Sequence, residues 1–150
     1  VLLDRQDHDE AGHEPLSKGR LRFLVVAHFG TVNLALNRHA KAAEILEKAV
    51  AGKPSDPAAN TNLALAYKQL GRYDEAQALM KKALKAAPNN PRIISIMGRM
   101  LAETGHPEQA IEHFQRALKL DPSFGNAFAD MAHARKFSNN DTGIIKKYEI

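Results

Sequence analysis

Residues 54–88, PSDPAANTNLALAYKQLGRYDEAQALMKKALKAAP, decide the fold of this chain. The stretch begins and ends with proline, and Pro122 follows after another 34 residues. Other columns with the same spacing are Gly71 and Gly105; Ala42, Ala76 and Ala110; Ala49, Ala83 and Ala117; and the small residues Gly30, Ala64, Gly98 and Ala132. A period shared by so many columns indicates a repeat protein.

Each period has room for two helices, and the second unit shows where they begin and end. Asp56 before Pro57 is typical of an N-cap followed by proline in the first helical position. Gly71 fits the left-handed residue just past a helix C-terminus. A second helix is predicted over residues 73–86, and Pro88 prevents it from continuing.

The neighbouring units have the same signals. In the third unit, Asn90 and Pro91 open the first helix, Gly105 turns the chain, and Pro107 opens the second helix. In the first unit, Asn37 stands where the later units have glycine, and asparagine also tolerates the left-handed conformation. The sequence therefore predicts three helix pairs, with small residues where helices cross closely.

The pattern resembles the tetratricopeptide repeat family, whose signature is W-x2-L-G-x2-Y, then A-x3-F, then P. No unit has the tryptophan, because the chain contains none. The matching positions are Asn60, Leu63, Ala64, Tyr67, Ala76, Met80 and Pro88 in the second unit; Ile94, Met97, Gly98, Leu101, Ala110, Phe114 and Pro122 in the third; and Val26, Phe29, Gly30, Asn33, Ala42, Leu46 and Pro54 in the first. The resemblance implies an all-α, right-handed α-solenoid of three helix-turn-helix repeats with a C-terminal capping helix.

The repeats predict how the chain is divided. The repeat domain is expected at residues 23–136, with repeats at about 23–56, 57–90 and 91–124 and the cap at 125–136. Residues 1–22 are polar, and we expect them to be partly disordered or loosely docked. Residues 137–150 form a C-terminal extension that opens with a turn-rich break from Phe137 to Asp141. Because the first residue is Val1, we expect the chain to be a piece of a longer or processed protein.

A second, short resemblance covers residues 120–141. The run from Leu120-Asp121-Pro122 to Asn140-Asp141 is similar to the junction in bacterial proteins that join such repeats to a downstream sulfotransferase domain. That resemblance implies an alternative function, the N-terminal accessory region of a larger enzyme. The nucleotide-binding loop that such a domain needs is not present in these 150 residues.

Composition excludes several classes of function. The chain has no cysteine, which excludes disulfides, cysteine metal sites and a cysteine nucleophile, and which is compatible with the cytoplasmic location we expect. It has no Gly-x-Ser-x-Gly or Gly-x-x-x-x-Gly-Lys motif, so we expect neither an enzyme nor a cofactor. The net charge of +4 includes no Lys/Arg block, so nucleic acid is not an expected partner. The longest apolar run, Phe23 to Ala27, is too short to span a membrane.

Two groups of histidines are candidate metal ligands. The dense acidic group near the N-terminus is typical of a solvated tail, although a flexible tail could hold a divalent ion weakly; it consists of Asp7, His8, Asp9, Glu10 and His13. His106 and His113 lack a third ligand at a suitable spacing. We therefore expect no metal site.

A partner site is expected on the concave face, which the first helices of a solenoid line. The candidate partner-binding residues are Thr61, Asn62, Leu65, Lys68, Arg92, Ser95, Arg99 and His133. Arginine recognises carboxylates through two parallel hydrogen bonds, so Arg92 and Arg99, with Lys68, could bind an acidic segment or a terminal carboxylate. Alternatively, these are ordinary solvated charges.

One subgroup of the family binds the Glu-Glu-Val-Asp tails of chaperones through a five-residue carboxylate clamp. This chain keeps Asn62 and Arg92 but has Ala27, Thr31 and Ile96 at the other positions, so we expect weak or no binding to such tails. The predicted function is a non-catalytic scaffold for protein–protein interaction, with a protein or peptide as partner. Self-association through the apolar ends of the solenoid is a further alternative.

Overall fold

The computed structural model describes the backbone of residues 17–148 and the side chains of residues 17–136. Within this part of the chain there are seven α-helices and no strand. The N-terminal acidic and histidine-rich group lies outside the described residues. The helices are α1 Lys18–Ala35, α2 His39–Gly52, α3 Pro57–Gln69, α4 Tyr73–Ala86, α5 Pro91–Glu103, α6 Pro107–Leu120 and α7 Gly125–Tyr148.

The helices form three pairs that stack in sequence order. α1 packs on α2, α3 on α4, and α5 on α6, and α7 packs against the last pair. The second helix of each pair also contacts the first helix of the next, as α2 does with α3 and α4 with α5. The predicted fold class is thereby confirmed: the chain is an all-α helical-repeat solenoid, and residues 17–148 form three helix pairs and one further helix.

Local signals place the helix ends as predicted. The Asp56 carboxylate accepts a hydrogen bond of 2.8 Å from the backbone N–H of Ala59, which caps α3. Asn90 caps α5 in the same way through the N–H of Ile93, at 3.3 Å. The three turn residues between paired helices have positive φ angles, namely Asn37 at 57°, Gly71 at 77° and Gly105 at 83°.

The core lies where large side chains of the second helices meet small residues of the first helices. Leu46, Met80 and Phe114 occupy equivalent positions on α2, α4 and α6, and none has any exposed surface. Each faces the small-residue column, where a β-carbon on Gly30 would lie 2.5 Å from Leu46 Cγ. The small column is therefore a packing requirement, because the paired helices approach closely at these positions.

At the two ends the helix bounds differ from those that the sequence predicts. α1 begins at Lys18, inside the segment expected to be loosely docked, because the Ser17 hydroxyl caps it by accepting a 3.2 Å hydrogen bond from the Arg20 N–H. α7 continues to Tyr148, through the break expected from Phe137 to Asp141. That segment contains no proline, and serine, asparagine and aspartate each cost a helix only about 0.7 kcal/mol or less.

The stretch that resembles a sulfotransferase junction runs from the end of α6 through much of α7. That hypothesis stays a prediction, as does the division of the chain into segments. None of the helices described within residues 17–148 is both long and apolar enough to cross a bilayer.

Candidate partner-binding groove

The first helices of successive pairs lie next to one another, since α1 contacts α3 and α5 contacts α7. Between α5 and α7 the surface opens into a cavity of about 510 Å³, which we call the groove. Its bottom reaches the buried ring of Phe114. The lining residues are Arg99, Ala102, Glu103, Gly105, Phe114, Asp130, His133 and Ala134.

The structure brings together some of the candidate residues. Arg99 and His133 both line the groove, and both are exposed. Lys68, on α3, reaches it through an ion pair with Glu103. Arg92 is exposed in the first turn of α5, and it does not line the cavity. The half-buried Asn62 and Leu65 lie on α3, also outside the cavity lining.

Two candidate residues are not available to a partner. Thr61 and Ser95 are each only 1% exposed, so the expectation that they lie on the open face is wrong. The Thr61 hydroxyl donates a 2.7 Å hydrogen bond to the Pro57 carbonyl, which satisfies it within its own helix. Both side chains are small, and neighbouring helices cover them in the close-packed interior.

Acidic side chains balance the cations of the groove. Lys68 Nζ lies 3.0 Å from Glu103 Oε1, and the Lys68 side chain is only 17% exposed. Arg99 Nε lies 3.7 Å from Asp130 Oδ2. The groove therefore carries both signs of charge, although the charged candidate residues Lys68, Arg92 and Arg99 are all cations. One signal of this charge balance is visible in the sequence, because Glu103 follows Arg99 by four residues and such residues are neighbours on a helix surface.

The Asp130 carboxylate has unused hydrogen-bonding capacity. Its Oδ2 atom is buried and accepts no hydrogen bond from the described residues. Arg99 Nε, at 3.7 Å, attracts it electrostatically but is too distant for a hydrogen bond. A buried acceptor without a donor is unfavourable, so this atom would gain from an N–H supplied by a bound group.

At three of the five clamp positions, the side chains make contacts within the chain itself. Asn62 Nδ2 donates a 3.0 Å hydrogen bond to the Thr31 hydroxyl, which links α3 to α1. Ile96 is 3% exposed and belongs to the core. Of the five clamp positions, only Asn62 and Arg92 have the residue that the clamp requires. Arg92 is the exposed one of these two, and it forms no ion pair with a described residue.

The clearest pKa shifts lie away from the groove lining. Burial of Tyr67, together with its hydrogen bond to Glu47, raises the pKa of its phenol. The Arg72 guanidinium lowers the pKa of Glu75 and has its own pKa raised by the same hydrogen-bonded pair. The Tyr67–Glu47 hydrogen bond joins α3 to α2, and the Arg72–Glu75 hydrogen bonds lie at the start of α4. No group of three or more acidic or histidine side chains in the described part of the chain could hold a metal ion.

The stacked helix pairs and the open groove define an α-helical repeat protein of the solenoid class. Two models of the tetratricopeptide repeat match the chain, one over residues 33–100 and the other over residues 91–124. Together they span residues 33–124, which is more than half of the chain. The chain belongs to the tetratricopeptide repeat family.

Solved structures of similar fold include TPR domains. The first TPR domain of human RPAP3 has a TM-score of 0.75 at 20% identity, over 81% of this chain and 95% of that one. The first TPR of Spaghetti (RPAP3), bound to the HSP90 peptide SRMEEVD, has a TM-score of 0.73 at 20% identity, over 78% of this chain and 93% of that one. A Thermobaculum terrenum O-GlcNAc transferase mutant has a TM-score of 0.75 at 18% identity, over 79% of this chain and 23% of that one. No curated protein matches the chain significantly.

Proposed function

We propose that this chain is a non-catalytic protein-interaction module that binds a segment of a partner protein in the groove between α5 and α7. The observation that carries the proposal is the 510 Å³ cavity, in which the buried Asp130 Oδ2 lacks a hydrogen-bond donor. Pockets that bind ligands combine an apolar bottom with a few polar groups that fix orientation. Phe114 and Ala134 supply the apolar part here, and Arg99, Glu103, Asp130 and His133 supply the polar part.

The paired charges favour a segment that carries donors as well as acceptors. A backbone N–H or a basic side chain of the partner would bind Asp130. A carboxylate of the partner would then take the place of Asp130 as the ionic partner of Arg99. Arg92, exposed on the same helix, offers a further contact for an acidic residue. The proposal is supported by structures of similar fold whose bound peptides are SRMEEVD and, in the second TPR domain of human RPAP3, SGPTIEEVD.

Site-specific photocrosslinking tests the proposal. A photoreactive amino acid replaces Arg92, and in a matched control it replaces Gln115, which is exposed on α6. The full chain is irradiated in host lysate, and crosslinked peptides are identified by mass spectrometry. We expect one partner segment to crosslink from position 92 and not from position 115. Identical crosslinks from both positions would contradict a groove-specific site.

The groove variant Arg99→Ala completes the test. Loss of Arg99 removes both a cation and the ionic partner of Asp130, so the crosslink from position 92 should weaken while the thermal melting temperature stays close to that of wild type. A crosslink that is unchanged in Arg99→Ala would place the partner outside the groove.

A further inference from the structure

The first helix of the solenoid exposes an unusually apolar face. On α1 the residues at spacings of three and four form one line, which begins with cations and continues with large apolar side chains. The apolar members are exposed by 61% at Val25, 59% at Phe29, 39% at Val32 and 56% at Leu36. The cations that precede them on the same line are Lys18 and Arg22. We call this line the α1 stripe.

The repeat itself provides the comparison that gives the stripe its meaning. Positions equivalent to Val25 are 2% exposed at Ala59, 4% at Ile93 and 0% at Ala127. Positions equivalent to Val32 are 0% exposed at Ala66, 1% at Met100 and 1% at Ala134. At the positions of Val25 and Val32, therefore, the side chains of three later copies are buried, whereas those of α1 face solvent; Leu70, equivalent to Leu36, is 41% exposed.

What buries the line in the later copies is a helix. Each of α3, α5 and α7 packs against the second helix of the preceding pair, namely α2, α4 and α6. α1 has no preceding helix among the residues that the structure describes. Its stripe thus has the surface that this fold uses to receive a helix, and no helix of the described residues 17–148 covers it.

The sequence just upstream does not supply the missing helix in register. One period before the buried Ala43, Leu46 and Ala49 of α2, the chain has Asp9, Gly12 and Pro15. These residues offer no apolar face, and proline in a helix interior removes a hydrogen bond and clashes with the preceding turn. We therefore look for the covering helix outside residues 1–16.

Charge distinguishes between the candidate molecules. No acidic residue occurs between Glu14 and Glu44, and cations surround the N-terminal end of α1. Arg20 and Arg22 join Lys48 and Lys53 of α2 around a second cavity of about 820 Å³. A second copy in parallel orientation would bring Lys18 and Arg22 against the same cations. In antiparallel orientation it would set those cations against the apolar end of the stripe.

We propose that the α1 stripe is the docking site of an amphipathic helix of a partner protein, with acidic residues at one end. Its apolar side chains, at spacings of three and four, would cover Val25, Phe29, Val32 and Leu36. Its acidic side chains would bind Lys18 and Arg22 in the next turn. Helix-on-helix recognition of this kind uses apolar anchors at the same spacings. The site is separate from the groove between α5 and α7 and does not rest on the function proposed for it.

A designed peptide of about 18 residues serves as the probe, long enough to match the roughly 27 Å length of α1. It carries leucines at spacings of three and four and two glutamates placed to face Lys18 and Arg22, and a control peptide has lysines in place of these glutamates. The isotope-labelled full chain is titrated with each peptide and followed by NMR. We expect amide shifts confined to α1 and its neighbour α2, with affinity about tenfold weaker for the lysine peptide.

Two exposed phenylalanines provide a matched pair of variants. Phe29→Ser should weaken the glutamate peptide about tenfold, and Phe128→Ser, on α7 and 57% exposed, should leave its affinity unchanged. Equal binding of the two peptides, or shifts centred away from α1, would overturn the proposal. The proposal would also be overturned if the chain alone sediments as a dimer and Phe29→Ser makes it monomeric, because a second copy would then be the occupant. Nuclear Overhauser contacts between residues 1–16 and the α1 stripe would overturn it in favour of the chain's own N-terminal segment.

Discussion

The ring of Phe114 lies against Gly98 so closely that a β-carbon on Gly98 would stand 2.7 Å from Phe114 Cε1. The same relationship holds two repeats earlier, where Leu46 fills the space beside Gly30. In the middle repeat the equivalent residues are Ala64 and the flexible Met80, and both are fully buried. The size of the residue on the first helix thus varies with the shape of the side chain that the second helix places against it.

Replacing Gly98 by alanine should therefore destabilise the protein. The added methyl meets the fully buried Phe114 ring, which has little room to move, and overpacking of this kind costs about 1–3 kcal/mol. Urea unfolding followed by circular dichroism measures the change. The control is Gly19→Ala on α1, where no atom lies within 4 Å of the new β-carbon and helix propensity should add a little stability. Equal stability of Gly98→Ala and wild type would contradict the packing explanation.

The sequence predicts the repeat, the helix ends and the small column well, because these depend on local or periodic signals. Asp56, Asn90, Gly71 and Gly105 each act within one turn of the chain, and the structure places them as expected. The groove is harder to predict because it depends on contacts between distant residues. Lys68 and Glu103 are 35 residues apart, and only the stacking of α3 beside α5 brings them within 3.0 Å.

The same limit explains why the prediction is wrong for Thr61 and Ser95. Helical periodicity placed Thr61 and Ser95 on the open face, but periodicity does not say how closely adjacent first helices pack. Both are small and therefore lie where the helices come together, with 1% exposure each. The larger Arg99, on the same helix as Ser95, keeps its charged end at the surface.

The hydrogen bond between successive repeats at Tyr67 gives a second prediction. Its phenol donates to Glu47 Oε1 at 2.8 Å, and the Tyr67 side chain is almost fully buried. Tyr67→Phe should cost about 0.5–1.5 kcal/mol, since Glu47 is half-exposed and water can replace the lost donor. Tyr73→Phe, at an exposed tyrosine that opens α4, is the control and should be close to neutral.

The contribution of Tyr67 should also depend on pH, in a direction set by its raised pKa. In the folded protein the pKa of the Tyr67 phenol lies above the ordinary value of 10.0, so folding favours the neutral phenol. The stability difference between wild type and Tyr67→Phe is therefore fully present below pH 10.0 and should decline as pH rises through the folded-state pKa. A difference that grows above pH 10.0 would contradict this sign.

At the other end of the pH scale, the ion pair at the start of α4 gives a third prediction. Arg72 holds Glu75 through hydrogen bonds of 2.8 and 2.6 Å, and it lowers the Glu75 pKa below the ordinary value of 4.5. The contribution is present above pH 4.5 and should be lost as pH falls through the lower, folded-state pKa. Wild type and Glu75→Gln should thus differ in stability at neutral pH and converge in acid. Asp74→Asn, also in the first turn of α4, controls for the helix dipole. If both variants show the same acid dependence, the effect does not come from the Arg72–Glu75 pair.

The last prediction concerns the charge balance of the groove. Glu103 and Asp130 hold Lys68 and Arg99 in ion pairs and would repel an acidic peptide, which agrees with the weak binding expected from the incomplete clamp. Neutralising both carboxylates, as Glu103→Gln with Asp130→Asn, releases the two cations, so affinity for the fluorescent peptide SRMEEVD should rise by about tenfold at low salt. Fluorescence anisotropy measures it.

A control variant separates this local effect from that of net charge. Asp74→Asn with Glu112→Gln changes the total charge equally at exposed positions on α4 and α6, and it should raise the affinity by much less. The gain in the groove variant should largely disappear at about 1 M salt, where the Debye length is only about 3 Å. If both variants bind SRMEEVD equally, the peptide responds to overall charge, and the ion pairs of Lys68 and Arg99 do not control which segments the groove accepts.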